Sequence, residues 1–210
     1  HSTDANARSL VLGSHLDTVP NGGKYDGMLG VIAPLAVVHH CFENGIRFPF
    51  HIDIVGFGDE EGTRFGSTLL GSRALTGRWK EDWQLLRDEN KVSLPEAMAE
   101  FGLAFDKVGD ATLKPDSVLG YLEVHIEQGP VLEDKNLPVG WVTAIAGAKR
   151  LNVQLNGMAG HAGTVPMDMR QDALVAASEM VLAVESIASQ FGIVATVGRL
   201  ETRPGAVNVI

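Results

Sequence analysis

Apolar residues in the first part of the chain are grouped in a way that is typical of a parallel α/β sheet. Residues 9–13 form a short apolar run that predicts a buried strand, and residues 50–55 alternate between apolar and polar side chains, as a half-buried strand does. Between them, residues 28–42 form a longer apolar stretch that predicts a helix, and Asn44 with Gly45 signals its end. A strand, a helix and a second strand in this order predict a parallel crossover unit.

The middle of the chain continues the same alternation of elements. Residues 69–75 predict a second, short helix, and Ser93 followed three residues later by Glu96 is a capping box that predicts the start of a third. Residues 118–126 and 139–146 then predict two more strands. The first part of the chain is therefore predicted to form an α/β domain.

After Gly147 the pattern changes, which indicates the start of a second, smaller unit. Residues 151–155 predict a strand, residues 157–163 a glycine-rich loop, residues 168–190 a long helix, and residues 193–200 another strand. One face of this helix is predicted to be buried, because apolar residues recur on it at spacings of three and four. These residues are Leu174, Ala177, Val181, Val184 and Ile187.

The composition is that of a globular protein, and the charge excludes two classes of partner. Of the 210 residues, 45% are apolar and 20% are charged, and 17 Lys and Arg against 26 Asp and Glu give a net charge of −9. No basic run is present that could follow a phosphate backbone, so neither nucleic acid nor an anionic membrane is expected as a partner. The longest apolar run, residues 31–38, is far shorter than the ~20 residues of a membrane span, so no transmembrane helix is expected.

The single cysteine and the two ends of the chain lead to two further expectations. Cys41 has no second cysteine with which to form an internal disulfide, which fits a reducing compartment, and we expect the protein to be cytoplasmic. The chain begins at His1 and stops in the apolar, strand-like run 206–210, so we expect it to be a piece of a longer polypeptide.

Candidate metal ligands follow the first predicted strand. His15, Asp17 and Asp26 lie in a glycine-rich segment at the strand exit, where open α/β sheets place their ligand sites. Imidazole and carboxylate groups are ligands that a zinc-like cation accepts, and Asp17 is close enough in sequence to orient the ring of His15. The alternative is a turn that uses Asp and Gly for backbone reasons alone.

Three consecutive carboxylates follow the second predicted strand. Asp59, Glu60 and Glu61 repel one another unless a cation or a shared proton relieves them. Adjacent glutamates can divide the work, one as a metal ligand and the other as a general base that faces the attacking water. The alternative is a solvated acidic turn.

Two more histidines complete the candidate chemistry. A two-residue period places Glu123, His125 and Glu127 on one face of the strand at residues 118–126, which makes His125 a candidate third ligand, although an isolated strand histidine is more often structural. His161 lies in the loop before the long helix and could donate to a developing oxyanion, or could be a loop histidine without a role.

The motifs of the chain, taken together and in order, resemble those of peptidase family M20. The similar segments are residues 15–20, Asp26-Gly27, residues 59–62 and residues 160–163. Residues 123–130 and 163–167 are similar to the amidase, hydantoinase and carbamoylase branch of this family. That branch contains allantoate amidohydrolases, N-carbamoyl-L-amino-acid hydrolases and β-ureidopropionases.

The resemblance implies a set of site residues. His15, Asp26 and His125 would hold a first metal ion, and Asp26 would bridge to a second ion that Glu61 also binds. Glu60 would be the general base. The peptidase members usually have an acidic residue at the position of His125, so this histidine favours the carbamoylase branch. Three residues would face the substrate: Gln128, His161 and Asn208.

The resemblance also implies the architecture and the reaction. The fold would be an α/β zinc-peptidase-like central mixed sheet with helices on both faces, followed by the start of a smaller α+β lid and dimerisation domain. Residues 1–147 would belong to the di-metal catalytic domain and residues 148–210 to the lid domain, which carries His161 and builds a homodimer. Both domains would be incomplete, because the family's last metal-binding histidine and its carboxylate-binding arginine are expected beyond Ile210.

The expected protein is a hydrolase that releases ammonia and carbon dioxide from linear ureido substrates with two divalent metal ions. Zinc and manganese are the expected metals, and nickel and cobalt accept the same ligands. The sequence does not select the substrate among ureido compounds. Two alternatives remain open: a metallopeptidase or aminoacylase of the same family, and a non-catalytic metal-binding or dimerisation module.

Overall fold

Three parallel strands form the sheet that the sequence predicts. Strand β1 (Ser9–His15) lies between β2 (His51–Phe57) and β3 (Val118–Leu122), and both pairs are parallel. The structure is a computed structural model that describes residues 1–210. Because β1 has a neighbour on each side, its apolar residues are enclosed, and Val11 is only 2% exposed. The α/β prediction is confirmed.

Helix α1 (Met28–Glu43) connects β1 to β2 and packs against both strands. It approaches the end of β1 closely, because a Cβ atom at Gly30 would lie 2.5 Å from Cβ of Ser14 and 2.3 Å from the carbonyl oxygen of Val124. The helix ends at the predicted signal, since the chain continues through Gly45 with a φ of 67°. A small residue is therefore required where α1 crosses the strand that carries His15.

The segment between β2 and β3 has a hydrophobic core of its own. It contains α2 (Leu70–Leu75), α3 (Leu94–Glu100) and three 3₁₀ helices, Glu81–Leu85, Phe105–Ala111 and Pro115–Ser117. The predicted capping box is present: the Glu96 backbone N–H donates to Oγ of Ser93 at 3.3 Å, and the Ser93 N–H donates to the Glu96 carboxylate at 2.8 Å. The core of this segment consists of Phe65, Leu70, Trp83, Leu94 and Ala97.

The chain divides into two compact units, His1–Trp141 and Val142–Ile210. The first also contains the short helix α4 (Val131–Asp134), and the second contains a 3₁₀ turn (Met167–Met169) and the long helix α5 (Ala173–Phe191).

Helix α5 begins five residues later than predicted. The Asp172 carboxylate caps it by accepting the backbone N–H groups of Leu174 and Val175, and Gln171 pairs with Met158 in an isolated β-bridge. Residues 168–171 therefore cannot belong to the helix. It ends at Gly192, whose φ of 62° stops it, close to the predicted end.

Several predicted strand segments are wrong. Residues 139–146, 151–155 and 193–200 form no strand, and β3 ends at Leu122 rather than at residue 126. A strand exists only when a neighbour supplies hydrogen bonds to its backbone, and these segments have none in the described ladders. Alternation of apolar residues predicts the tendency to form a strand, whereas a partner is needed to form it.

The predicted buried face of α5 is only partly covered, since Ala177, Val181 and Val184 are half-buried and the residues at its two ends are exposed. Leu174 is 46% exposed and Ile187 51% exposed, and Ala188 is the only fully buried residue of the helix. Because the flanking segments form no sheet, the helix has little to pack against in this unit.

By length and composition alone, α5 could cross a membrane, since an 18-residue window has a mean hydropathy of 1.3. This is weak evidence, because core helices of water-soluble proteins pass the same test. The absence of a transmembrane helix therefore stays a prediction.

Candidate metal centre

The candidate ligands lie where the three parallel strands end. His15 is the last residue of β1, Glu60 and Glu61 follow β2, and His125 follows β3. Because the carboxyl ends of parallel strands meet at one edge of a sheet, residues far apart in sequence become neighbours there. Asp26 joins them from the loop that leads into α1.

Three side chains converge on one point at distances that fit a single cation. The Nε2 atoms of His15 and His125 are 3.3 Å apart, and Oδ1 of Asp26 lies 3.6 Å from the first and 3.3 Å from the second. Ligands bound at about 2.0–2.1 Å in a tetrahedral arrangement lie about 3.3 Å from one another. The side chains of His15 and Asp26 are 5% and 8% exposed, whereas that of His125 is 29% exposed, so the group is buried on the side of β1 and open at His125.

The hydrogen bonds of the two rings direct lone pairs toward this point. Nδ1 of His15 donates to the Asp17 carbonyl oxygen at 2.6 Å, and Nδ1 of His125 donates to the Ile126 carbonyl oxygen at 2.8 Å. A carbonyl oxygen only accepts, so each neutral ring carries its proton on Nδ1 and presents a lone pair at Nε2. Oδ1 of Asp26 is buried and has no hydrogen-bond partner. Two lone pairs and a carboxylate oxygen thus face one another, which a divalent cation would stabilise.

The close packing around residue 27 explains why a glycine follows Asp26. Its φ is 71°, and a Cβ atom there would lie 2.5 Å from Nδ1 and 2.5 Å from the carbonyl oxygen of His15. Any larger residue would displace the ring that faces Asp26.

A second group joins His15 to Glu60 and Glu61, with one ligand atom of each within 4.8 Å of the others. His15 is therefore common to both groups, whereas the resemblance implies that Asp26 is the bridge. The bridging role of Asp26 stays a prediction. Asp59, the first of the three carboxylates, belongs to neither group.

The carboxylate of Asp17 holds the turn that carries the two glutamates. Its Oδ1 accepts the backbone N–H of Glu60 at 3.0 Å and its Oδ2 that of Glu61 at 3.1 Å. The sequence predicts that Asp17 orients the ring of His15; it does so through its backbone carbonyl, and its carboxylate oxygen is 4.0 Å from Nδ1. One residue therefore links the end of β1 to the turn after β2.

Glu60 lies in an environment that suits a general base. Burial raises the pKa of its carboxyl group above the ordinary value, against the opposing effect of His15. Neighbouring carboxylates raise this pKa further; they are Glu61, Asp17 and Glu123. A carboxylate with a raised pKa takes up a proton more readily at neutral pH.

The segment after β3 is arranged differently from the predicted two-residue alternation. Glu127 caps α4 by accepting the backbone N–H groups of Val131 and Leu132 at 3.0 and 2.9 Å, so both of its carboxylate oxygens have partners in that helix. Glu123 accepts the hydroxyl of Ser14 at 2.5 Å. Because β3 ends at Leu122, the predicted strand alternation does not extend to Glu123, His125 and Glu127.

Gln128 makes a contact that sequence reasoning missed. Its Nε2 donates to Oδ2 of Asp26 at 2.9 Å, from a backbone with a φ of 56°. The resemblance implies that Gln128 faces the substrate, whereas here it orients the ligand carboxylate. No spacing signal links the two residues, which are 102 positions apart.

In the second unit, the chain brings His161 and Asn208 next to each other. The Ala162 N–H donates to the Asn208 carbonyl oxygen at 2.9 Å, and His161 forms an isolated bridge with Val209. The Gly163 N–H donates to Nδ1 of His161 at 3.0 Å, so the proton of the neutral ring lies on Nε2. The exposed side chain of His161 thus presents a donor, as a residue that binds a developing oxyanion must.

Comparisons with known proteins agree with these motifs. A profile of Peptidase family M20/M25/M40 matches residues 11–205. The chain is 44% identical over 209 residues to N-carbamoyl-L-amino acid amidohydrolase of Geobacillus stearothermophilus, which covers 99% of this chain and 51% of that protein. It is 38% identical over 233 residues to allantoate deiminase 2 of Glycine max, covering 99% of this chain and 48% of that protein.

A solved structure supports the same relationship. The chain matches a hydantoinase/carbamoylase family amidase from Burkholderia ambifaria with a TM-score of 0.81 and 34% identity, over 100% of this chain and 51% of that one. The chain thus spans about half the length of the relatives that it matches.

Proposed function

Since the chain belongs to peptidase family M20/M25/M40, we propose that it is a metal-dependent amidohydrolase that cleaves C–N bonds of linear ureido and N-carbamoyl compounds. The observation that carries this proposal is the convergence of His15, His125 and Asp26 beside Glu60. A cation site next to a partly buried carboxylate is what hydrolysis by an activated water requires.

The ligand roles follow from the donor set. We propose that His15, Asp26 and His125 hold one divalent ion, and that Asp26 and Glu61 contribute to a second. Two such ions, when bound, would acidify a water molecule and polarise the carbonyl group of the substrate. Gln128 would keep the Asp26 carboxylate in place through its 2.9 Å hydrogen bond, in addition to any contact with substrate.

The chain's own residues would manage the protons. Glu60 would accept a proton from the attacking water and transfer it to the departing nitrogen of the ureido group. Ammonia would leave, and the remaining carbamate would lose carbon dioxide. His161 would donate its Nε2–H to the substrate's carbonyl oxygen as negative charge develops there, and Asn208 would lie beside it.

The names of the relatives support the substrate class. One relative is an N-carbamoyl-L-amino acid amidohydrolase and another an allantoate deiminase, and both names denote substrates with a terminal ureido group. Both relatives align with nearly the whole of this chain.

We propose three further properties that extend beyond the active site. The resident metal would be zinc or manganese, because both accept imidazole and carboxylate ligands. The protein would be a homodimer through the lid domain to which residues 148–210 would belong, and it would be cytoplasmic, in line with its single cysteine.

The proposal is tested by ammonia release from a panel of substrates. The full-length protein is stripped with a chelator and reloaded with Mn²⁺ or Zn²⁺. It is then assayed with N-carbamoyl-L-amino acids, allantoate, N-carbamoyl-β-alanine and a dipeptide. We expect metal-dependent ammonia from at least one ureido substrate. Cleavage of the dipeptide without ammonia would assign the protein to the peptidase branch, and no reaction with any substrate would favour a non-catalytic module.

A further inference from the structure

Arg170 donates hydrogen bonds to two backbone carbonyl groups of the loop that carries His161. Its Nε donates to the Val165 carbonyl oxygen at 3.1 Å, and its Nη2 donates to the Ala162 carbonyl oxygen at 2.6 Å. The side chain is partly buried, and the planar guanidinium group holds two acceptors in a fixed relative position. The two residues between these carbonyl groups are Gly163 and Thr164.

Gly163 and Thr164 belong to a tight turn that begins at His161. The backbone N–H groups of Thr164 and Val165 both donate to the His161 carbonyl oxygen at 3.1 Å. Inside this turn, the Gly163 N–H donates to Nδ1 of His161 at 3.0 Å. The Gly163 N–H, which selects the tautomer of the His161 ring, therefore lies between the two carbonyl groups that Arg170 binds.

Gly163 is also small enough for the ring to lie against it. A Cβ atom at this position would be 3.2 Å from Cε1 and 3.4 Å from Nδ1 of His161, so the ring would have to shift by a few tenths of an ångström to accommodate it. The absence of a side chain at Gly163 thus leaves room for the ring to accept the Gly163 N–H.

We propose that Arg170 is a positioning residue that keeps His161 in the Nε2–H form and holds its ring in one direction. The hydrogen bonds of the arginine go to the carbonyl groups of Val165 and Ala162 and not to the His161 ring, so it acts through the loop backbone. The inference deepens the proposed function, because it rests on His161 facing the substrate. Its spectroscopic part does not depend on turnover.

The test uses Arg170→Gln and Arg170→Lys in the full-length protein. Ring ¹⁵N spectra of His161 report the tautomer, and hydrogen exchange of the Gly163 amide reports the turn. We expect a pure Nε2–H ring in the parent protein. In Arg170→Gln we expect a measurable Nδ1–H fraction and exchange at Gly163 that is faster by about tenfold or more. Arg170→Lys, which keeps the charge but not the planar guanidinium group, should lie between the two.

Turnover supplies the second readout. We expect Arg170→Gln to lower kcat by about 10- to 100-fold with a smaller change in KM, because misplacement of the donor affects the transition state most. In a His161→Ala background the same substitution should have almost no further effect. Arg199→Gln is the matched control, since it removes an exposed arginine of the same unit that pairs with Glu201.

A second variant keeps the proposal testable if Arg170→Gln does not fold. Gly163→Ala leaves Arg170 intact and crowds the ring, so we expect the same shift in the His161 spectrum and a lower kcat. An unchanged tautomer and unchanged Gly163 exchange in Arg170→Gln would overturn the proposal, as would an equal loss of kcat with and without His161. If the parent protein released no ammonia but Arg170→Gln altered the His161 ring, the proposed function would fail and the positioning role would stand.

Discussion

The two groups of candidate functional residues are held by different parts of the chain's architecture. In the first unit, the candidate ligands are brought together by the ends of three parallel strands, and His15 and Asp26 are nearly enclosed. In the second unit, the His161 side chain is exposed, and its ring depends on one backbone N–H and on the turn braced by Arg170. The first arrangement depends on the pairing of all three strands, whereas the second depends on a local segment of about ten residues.

We expect the two regions to control different properties, metal binding in the first and the reaction rate in the second. A change at His15, Asp26 or His125 alters a charged cluster that would hold the cation, so it should affect metal binding and activity together. A change in the His161 loop leaves that cluster intact, so it should affect the rate alone. Variants of these three residues can therefore be separated from variants of the His161 loop by measuring metal content beside turnover.

Asp26→Asn should have the largest effect. The substitution keeps the shape of the side chain but removes the charge of a buried oxygen that has no hydrogen-bond partner. We expect metal affinity to fall by more than about 100-fold, with loss of activity. Metal content after dialysis measures this, with the exposed Asp116→Asn as the control for the same chemical change. Metal retention equal to that of the parent protein would mean that Asp26 is no ligand.

Glu60→Gln should lower the rate without removing metal. Loss of a general base typically costs about 10²–10⁴-fold in rate, and we expect a fall in kcat within that range. Glu60 also lies within reach of His15 and Glu61. Metal analysis therefore decides between two roles: unchanged content identifies a base, and a lost equivalent would identify a ligand instead.

His161→Ala should have a somewhat smaller effect that is confined to turnover. Removing one oxyanion donor typically costs about 10²–10³-fold in kcat, and the metal cluster of the first unit should keep its full metal content. Steady-state kinetics and metal analysis of the same preparation test this. A loss of metal in this variant would break the separation between the two regions.

Asp17→Asn should have the smallest effect of the four. An amide provides one acceptor oxygen where the carboxylate provides two, so one of the N–H groups of Glu60 and Glu61 would lose its partner. We expect the free energy of unfolding to fall by about 1–3 kcal/mol, measured by urea denaturation. Unchanged stability would show that the turn after β2 does not need this carboxylate.

The first region was largely predictable from sequence, because topology and residue type point to the same place. The apolar runs at β1 and β2 with α1 between them predict a parallel pair, and parallel strands end at one edge. His15, Glu60 and Glu61 then follow from their positions just after the strands. The geometry of the His15, Asp26 and His125 group needed the structure, because no spacing rule fixes a distance across more than 100 residues.

The second region was less predictable, because its features depend on partners rather than on local pattern. Residues 151–155 and 193–200 have the alternation of strands but no neighbouring strand to pair with. Arg170 donates to a backbone carbonyl group, and Gly163 donates its backbone N–H to the His161 ring. Every residue has a carbonyl group and nearly every residue has an N–H, so the residue types alone do not predict these two bonds. The late start of α5 follows from the cap at Asp172, whose carboxylate accepts the backbone N–H groups of the first turn.

The central claim is that His15, His125 and Asp26 bind one divalent cation together. X-ray absorption spectroscopy of the protein loaded with one equivalent of Zn²⁺ tests it most directly. We expect the zinc ion to have two imidazole nitrogens and additional oxygen ligands at about 2.0–2.1 Å, and to have a single imidazole ligand in His125→Ala. A spectrum with oxygen ligands alone, or one that His125→Ala leaves unchanged, would contradict it.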